Sequence, residues 1–232
     1  AAQRYRADPD RIACFSYAHL PNARANQKLV DVSTMPDHYQ KFDLFLMAID
    51  KLTEAGYDWI GMDHFGRRED ELAQAARERR LHRNFMGYTI QPAPHQLAFG
   101  MSGIGDLADC FVQNDAKLGD YQKTLDAGQL PVVRGMQRSR DDKLRRMVIM
   151  HIMCNLELPY TLTQQAFGVD VPDVLGAEIE RMQPYIDQGF LTVEPQRLLV
   201  TPLGRFFIRN ICMEFDAYLH TSGDTPLFSR TI

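Results

Sequence analysis

The sequence predicts a mixed α/β segment over residues 1–138 and a smaller, mainly helical α+β domain of winged-helix-like order over residues 139–232. Two patterns lead there. Short apolar runs at 11–17 and 59–62 flank a stretch in which Phe42, Phe45, Leu46, Ile49 and Leu52 recur at helical spacing, so strand, helix and strand alternate. Beyond residue 139, helical runs give way to two short β-rich runs around Glu194-Pro195-Gln196 and then to a last helix, the order of a winged helix.

Composition sets outer bounds. A chain of 232 residues with 45% hydrophobic and 24% charged content can bury a substantial core. Its net charge of −4 gives no general attraction to nucleic acid or anionic membrane. No apolar run approaches the ~20 residues of a membrane span, and AAQRYRADPDR lacks a signal-peptide core, so a cytoplasmic protein is expected. Cys14, Cys110, Cys154 and Cys212 are scattered singly, as free thiols of a reducing compartment are.

RIACFSY, residues 11–17, forms the first predicted strand, and residues 22–35 are polar and irregular. Pro36 and Asp37 mark a helix start, and Gly56 ends the helix in the manner of a C′ glycine. Trp59-Ile60-Gly61-Met62 then reads as a second buried strand, parallel to the first through a right-handed crossover. Such strands need neighbours on both sides, which implies further strands upstream. The strand delivers a polar tip, Asp63-His64-Phe65, and Gly66 is expected to turn the chain.

Glu69, Asp70 and Glu71 open the next helix and Arg77, Arg79 and Arg80 close it, the charge order the helix dipole favours. His82-Arg83-Asn84-Phe85 and Gly87-Tyr88-Thr89 follow. Residues 84–109 hold one or two further strands, with Gly100, Gly103 and Gly105 at spacings that match no phosphate loop and read as structural turns. Residues 110–135 read as an irregular connection or a hairpin near Gly128. RGMQRSRDDKLRR, from Arg134 to Arg146, carries a local charge of +4 at the expected domain boundary. Helices over 141–156 and 172–188, strands over 190–193 and 198–200, and a final helix from Thr201-Pro202 complete the chain; Phe207, Ile208, Ile211, Phe215 and Leu219 form that helix's apolar face.

IGMDHF, DELA and LHRNFMGYT, in this order and spacing, resemble the oxygen-independent coproporphyrinogen III oxidases (dehydrogenases), radical S-adenosylmethionine enzymes of haem biosynthesis. RIACFSYAHLP near the start, RNICMEFDAYL near the end and the terminal FSRTI extend the resemblance along the chain. It implies the later strands of a partial (β/α) barrel of the radical-SAM type, followed by the C-terminal domain. It also implies oxidative decarboxylation of two propionates, converting coproporphyrinogen III to protoporphyrinogen IX, with S-adenosyl-L-methionine and a [4Fe-4S] cluster as cofactors. The family holds its cluster with a CxxxCxxC loop, which is absent from these residues. The expectation is therefore a C-terminal portion, inactive alone, whose partners are the porphyrinogen and an N-terminal half.

By position the resemblance implies cofactor contacts at Ala18 in FSYAHLP and Ile104 in MSGI, which simple chemistry reads as core filler. His82, Arg83, Asn84 and Tyr88 are the candidate substrate-binding residues: a large apolar ring bearing carboxylates wants aromatic walls and guanidinium donors, the alternative being a solvated loop. Arg134, Arg138, Arg140 and Arg145 are secondary candidates. Asp63 and His64 invite a metal or acid–base role, yet neighbours on a strand face opposite sides and should not hold one ion together. A haem-chaperone branch of the same superfamily is the alternative, and a winged-helix interaction module the more distant one. Against nucleic acid, residues 160–201 carry six acidic and two basic side chains.

Overall fold

The computed structural model describes residues 9–22 and 24–219; the terminal FSRTI lies outside them. The first layer contains β1 (Arg11–Ala13), α1 (His38–Glu54), β2 (Tyr57–Gly61), β3 (His64–Arg67) and α2 (Glu71–Arg77). Two 3-10 turns, Ala25–Leu29 and Val32–Thr34, occupy the polar stretch before α1. A capping box opens α1: the Asp37 carboxylate accepts from the Gln40 amide at 2.9 Å, and the Gln40 side chain accepts from the Asp37 amide at 3.0 Å. Gly56, at φ +91°, closes it. Phe42 and Phe45 on α1 pack edge-on against Phe206, and Phe45 against Trp59 of β2, which ties α1 to the sheet.

The two strands expected to be parallel and buried do run parallel, and β2 is largely buried, but β1 is not and the two are not neighbours. β1 and β2 each pair antiparallel with β3, in the order β1-β3-β2, so they run parallel with β3 between them. Met62, at φ +45°, starts a tight turn with Asp63 that sends the chain back. Gly66 is therefore a strand residue opposite Asp58 and Arg11, and β1 is largely exposed at the sheet edge. Neither Met nor Asp announces a hairpin as Asn-Gly would, so the sequence hid the turn.

β4 (His82–Asn84) and β5 (Gly87–Thr89) form a small hairpin. β6 (Ile104–Leu107), β7 (Cys110–Asn114) and β8 (Val132–Gln137) form an antiparallel sheet in that order, with α3 (Leu118–Asp126) between β7 and β8. Of the two readings of residues 110–135, the irregular connection does not hold; β7 and β8 pair antiparallel as in the expected hairpin, but α3, closed near Gly128, joins them in place of a tight turn. α3 is only nine residues long and its N-cap, Lys117, makes no capping hydrogen bond, so the sequence carries no start signal for it.

The remainder contains α4 (Arg140–Asn155), β9 (Glu157–Pro159), α5 (Tyr160–Phe167), α6 (Val171–Val174), α7 (Gly176–Arg181), α8 (Gln183–Asp187), β10 (Leu191–Glu194), β11 (Arg197–Val200) and α9 (Ile208–Met213). Its antiparallel sheet has the order β10-β11-β9. The single helix expected over 172–188 is three short ones, because Leu175 and Met182 interrupt it and Pro184 restarts it. The final helix is shorter than expected, since a 3-10 turn at Gly204–Phe207 precedes it. The hydrophobic core runs without a break across residue 139: Ile60, Leu72, Leu81 and Tyr88 share one cluster with Val148, Ile152, Leu198 and Phe215. Each large buried side chain contributes about 1.5–3 kcal/mol.

Candidate functional site

A cleft of about 760 Å³ opens between the β4–β5 hairpin, residues 91–96, β6 and α4. Its back is fixed by Asn155, whose Oδ1 accepts from the Leu81 amide at 3.0 Å and whose Nδ2 donates to the Leu81 carbonyl at 3.4 Å. One face of α4 supplies Lys143, Arg146, Met147, Met150 and His151, three or four residues apart from turn to turn. Arg79, Arg80, Arg83, Arg138, Lys143 and Arg146 line the cleft, against Asp106 as its lone carboxylate among the described residues.

Most of these cations are already paired. Arg79 binds Glu157, Arg80 binds Glu78 and Lys143 binds Asp109. Arg138 Nη1 donates to Asp106 Oδ1 at 2.8 Å, Arg146 donates to the other carboxylate oxygen, and both guanidinium groups lie against the Phe111 ring, at 4.5 and 5.5 Å. Burial pulls the Arg146 guanidinium below its ordinary pKa; Asp106 opposes that shift and Arg138 adds to it.

Arg83 differs. It has no carboxylate within ion-pair distance among the described residues; Nη1 meets only the Met153 sulfur at 3.6 Å, its guanidinium stands 5.4 Å from the Tyr88 ring centre, and Nε is buried without a hydrogen-bond partner.

The structure brings His82, Arg83 and Asn84 into one cleft; Tyr88, directly across the hairpin from Arg83, stays in contact with that guanidinium but does not line the cleft. The Tyr88 ring turns into the core, where its hydroxyl donates to the Met153 carbonyl at 3.3 Å and burial pushes its pKa up. As the cross-strand partner of Arg83 it shares that residue's face of the hairpin, and the period-two alternation of β5 sets it apart from Thr89, which lines the cleft with its own partner His82. Asn84 serves its own turn as well, accepting from the Met86 amide at 2.8 Å. Of the secondary candidates Arg138 lines the cleft, whereas Arg134, Arg140 and Arg145 bind Gln113, the Phe167 carbonyl, and Asp141 with Glu178. His151 escaped the sequence reading, although its place one turn before Asn155 on the α4 face was a usable signal. Burial lowers the pKa of both His82 and His151; for His151, Glu157 opposes that and His82 reinforces it. Cys154 is pushed up to about 12 by burial, so it stays a thiol.

Asp63 and His64 do not face opposite ways. Asp63 lies in the turn rather than on a strand, and its Oδ1 sits 2.8 Å from His64 Nδ1. Burial raises the Asp63 pKa, but the hydrogen bond to His64 and its own backbone outweigh it and hold the carboxyl below its ordinary range. Ala18 is exposed on the segment after β1, its carbonyl accepting from Gln27 Nε2 at 3.1 Å. Ile104, half-buried, lies opposite Gln113 on the β6–β7–β8 sheet. Gly103 and Gly105 pack against residues 96–100, as structural glycines do.

No group of three or more His, Cys, Asp or Glu side chains among the described residues is placed to hold a metal ion. The cysteines lie on the segment after β1, on β7, on α4 and on α9, all as free thiols, so this chain does not by itself fit an iron–sulfur cluster. Among the described residues no helix is long and apolar enough to cross a membrane.

Residues 139–207 match the HemN C-terminal domain, beginning at the Ser139 cap of α4. The oxygen-independent coproporphyrinogen III oxidase of Thermostichus vulcanus is 40% identical over the whole chain, which covers 71% of that protein. The chain belongs to the oxygen-independent coproporphyrinogen III oxidase family. Members from Salmonella typhimurium and Escherichia coli are each 40% identical over 97% of the chain, which covers 49% of their length. The chain thus spans about half the length of the curated relatives it matches. The solved coproporphyrinogen III oxidase HemN from Escherichia coli, a radical SAM enzyme, superposes with a TM-score of 0.87 at 40% identity over 91% of the chain and 49% of that structure.

Proposed function

We propose that this chain is the substrate-facing, C-terminal part of a cytoplasmic oxygen-independent coproporphyrinogen III oxidase, and that the cleft beside α4 holds carboxylates of the porphyrinogen. The observation that carries the reading is Arg83: a guanidinium in a cationic cleft, with a buried unpartnered Nε and no acid of its own. A guanidinium so placed is completed by an external carboxylate. Arg138 and Arg146, fixed by Asp106 and Phe111, keep the opposite wall positive and rigid.

His82 would add a hydrogen bond at the rim, and Met147, Met150 and Phe167 offer apolar contact to a ring. When bound, S-adenosylmethionine and a reduced [4Fe-4S] cluster would supply the radical chemistry for oxidative decarboxylation of the propionates. The cluster ligands would come from a preceding half outside these residues. Ala18 and Ile104 would offer backbone and apolar contact to S-adenosylmethionine, a role resting on the family resemblance.

We also take β1, α1 and β2 as late elements of a partial barrel, and α4 onward as a winged-helix-like cover. The order of helices and the three-stranded β10-β11-β9 sheet support the second part. Four free thiols suit a reducing compartment.

The test is binding of coproporphyrin III, the stable oxidised tetracarboxylate, to the full-length enzyme by fluorescence. Arg83→Met should weaken it by about tenfold or more, since charge-assisted bonds contribute roughly 1.5–3 kcal/mol. Unchanged binding would overturn the assignment of the cleft.

A further inference from the structure

Asp63 and His64 lie outside the cleft, and the proposed function leaves them unused. Their surroundings are specific. Asp63 fixes the Nδ1 side of the imidazole at 2.8 Å, so in the neutral ring that nitrogen carries the proton and Nε2 keeps its lone pair. Nε2 has no partner among the described residues and is not among the buried unpartnered atoms, so it is open to solvent in a ring that is 19% exposed.

Gly87, at φ +129°, keeps that nitrogen clear: a Cβ there would stand 3.1 Å from it. Phe15, 72% exposed, meets the imidazole edge-on at 6.0 Å, and Tyr88 does so at 5.3 Å. The site also adjoins the end of β1. Ala13 pairs with His64, and the Cys14 amide donates to the Asp63 carbonyl at 2.7 Å, so the segment leading to Ala18 starts beside the imidazole. A fixed ring with an open acceptor and an exposed aromatic wall exceeds what packing requires.

We propose that Asp63 and His64 form a second ligand subsite, in which His64 Nε2 accepts a hydrogen bond from an N–H or O–H donor of the bound molecule while Phe15 covers an apolar face. The subsite complements the arginine cleft. That cleft recognises anions, whereas an imidazole nitrogen held as an acceptor beside the Asp63 carboxylate selects donors. This rests on the proposed function, which offers two sources of donor: pyrrole N–H groups of a porphyrinogen, whose saturated bridges let the rings tilt, and the hydroxyls of S-adenosylmethionine.

The experiment is NMR of the full-length enzyme with ¹⁵N-labelled histidine, under anaerobic conditions, adding coproporphyrinogen III and S-adenosylmethionine separately. The expected results are an Nδ1–H tautomer for His64 in the free protein, lost in Asp63→Asn, and an upfield move of Nε2 with whichever ligand supplies the donor. His64→Phe should weaken that ligand about three- to tenfold, the worth of one neutral hydrogen bond, and His64→Gln, which keeps an acceptor, should recover part of the loss. An Nε2–H tautomer, or an Nε2 signal unmoved by saturating amounts of both ligands, overturns the subsite. If His64→Phe does not fold, the wild-type signals still decide. A silent Nε2 alongside weakened coproporphyrin binding by Arg83→Met sinks this inference alone; intact binding in Arg83→Met sinks the cleft assignment instead.

Discussion

Gly61 lies so close to Tyr88 that a Cβ on residue 61 would stand 2.4 Å from the phenolic oxygen and 2.7 Å from its ring carbon. The contact seats the β2–β3 turn against β5, and so joins IGMDHF to LHRNFMGYT. Tyr88 is packed on its other contacts by Arg83 and His64, which leaves its ring little room to move. Gly61→Ala should therefore destabilise the protein by about 1–3 kcal/mol, the usual cost of overpacking. Urea unfolding would show it; a shift below about 0.5 kcal/mol would mean that Tyr88 can swing aside.

Asp106 holds two guanidinium groups, and its side chain and that of Arg138 are nearly inaccessible, at 10% and 4%. Asp106→Ala would leave buried positive charge unpaired, for which about 3–5 kcal/mol is typical. The midpoint of denaturant unfolding should fall accordingly. A loss under 1 kcal/mol would show that water reaches Arg138 once the carboxylate is gone.

His151 is held neutral by burial, with His82 reinforcing and Glu157 opposing. Its folded pKa lies below the ordinary 6.5, so the unfolded chain binds more protons between the two values. Stability from this residue is full above pH 6.5 and is lost as pH falls through the folded value. Thermal scans from pH 8 to pH 5.5 should show a declining midpoint, and His151→Gln should flatten the decline. A midpoint that rises on acidification would contradict the assignment.

Ser139 and Asp142 form a capping box at the start of α4: the Ser139 hydroxyl accepts from the Asp142 amide at 3.1 Å, and the Asp142 carboxylate accepts from the Ser139 amide at 2.8 Å. α4 carries one wall of the cleft. Ser139→Ala should cost about 1 kcal/mol, readable as a lower thermal midpoint, whereas Ser139→Asp should retain nearly all the stability.

Local rules written in the sequence determined α1, α4, the β10–β11 hairpin and the Gly56 stop, because helical spacing, caps and turn residues act over a few neighbours. They also singled out His82 and Arg83, both of which line the cleft, and the ordered motifs named the family. Tertiary structure alone decided the rest. It set β3 between β1 and β2 through a turn at Met62-Asp63 that has no turn signature, which joined Asp63 to His64 instead of parting them. It turned Tyr88 inward, buried Arg138 within a run that reads as solvated charge, and brought His151 and Lys143 of α4 opposite β4. The physical reason is common to all of these. Which face a strand buries, and which charge finds a partner, depends on residues far away in the chain, and periodicity within one segment carries no information about them.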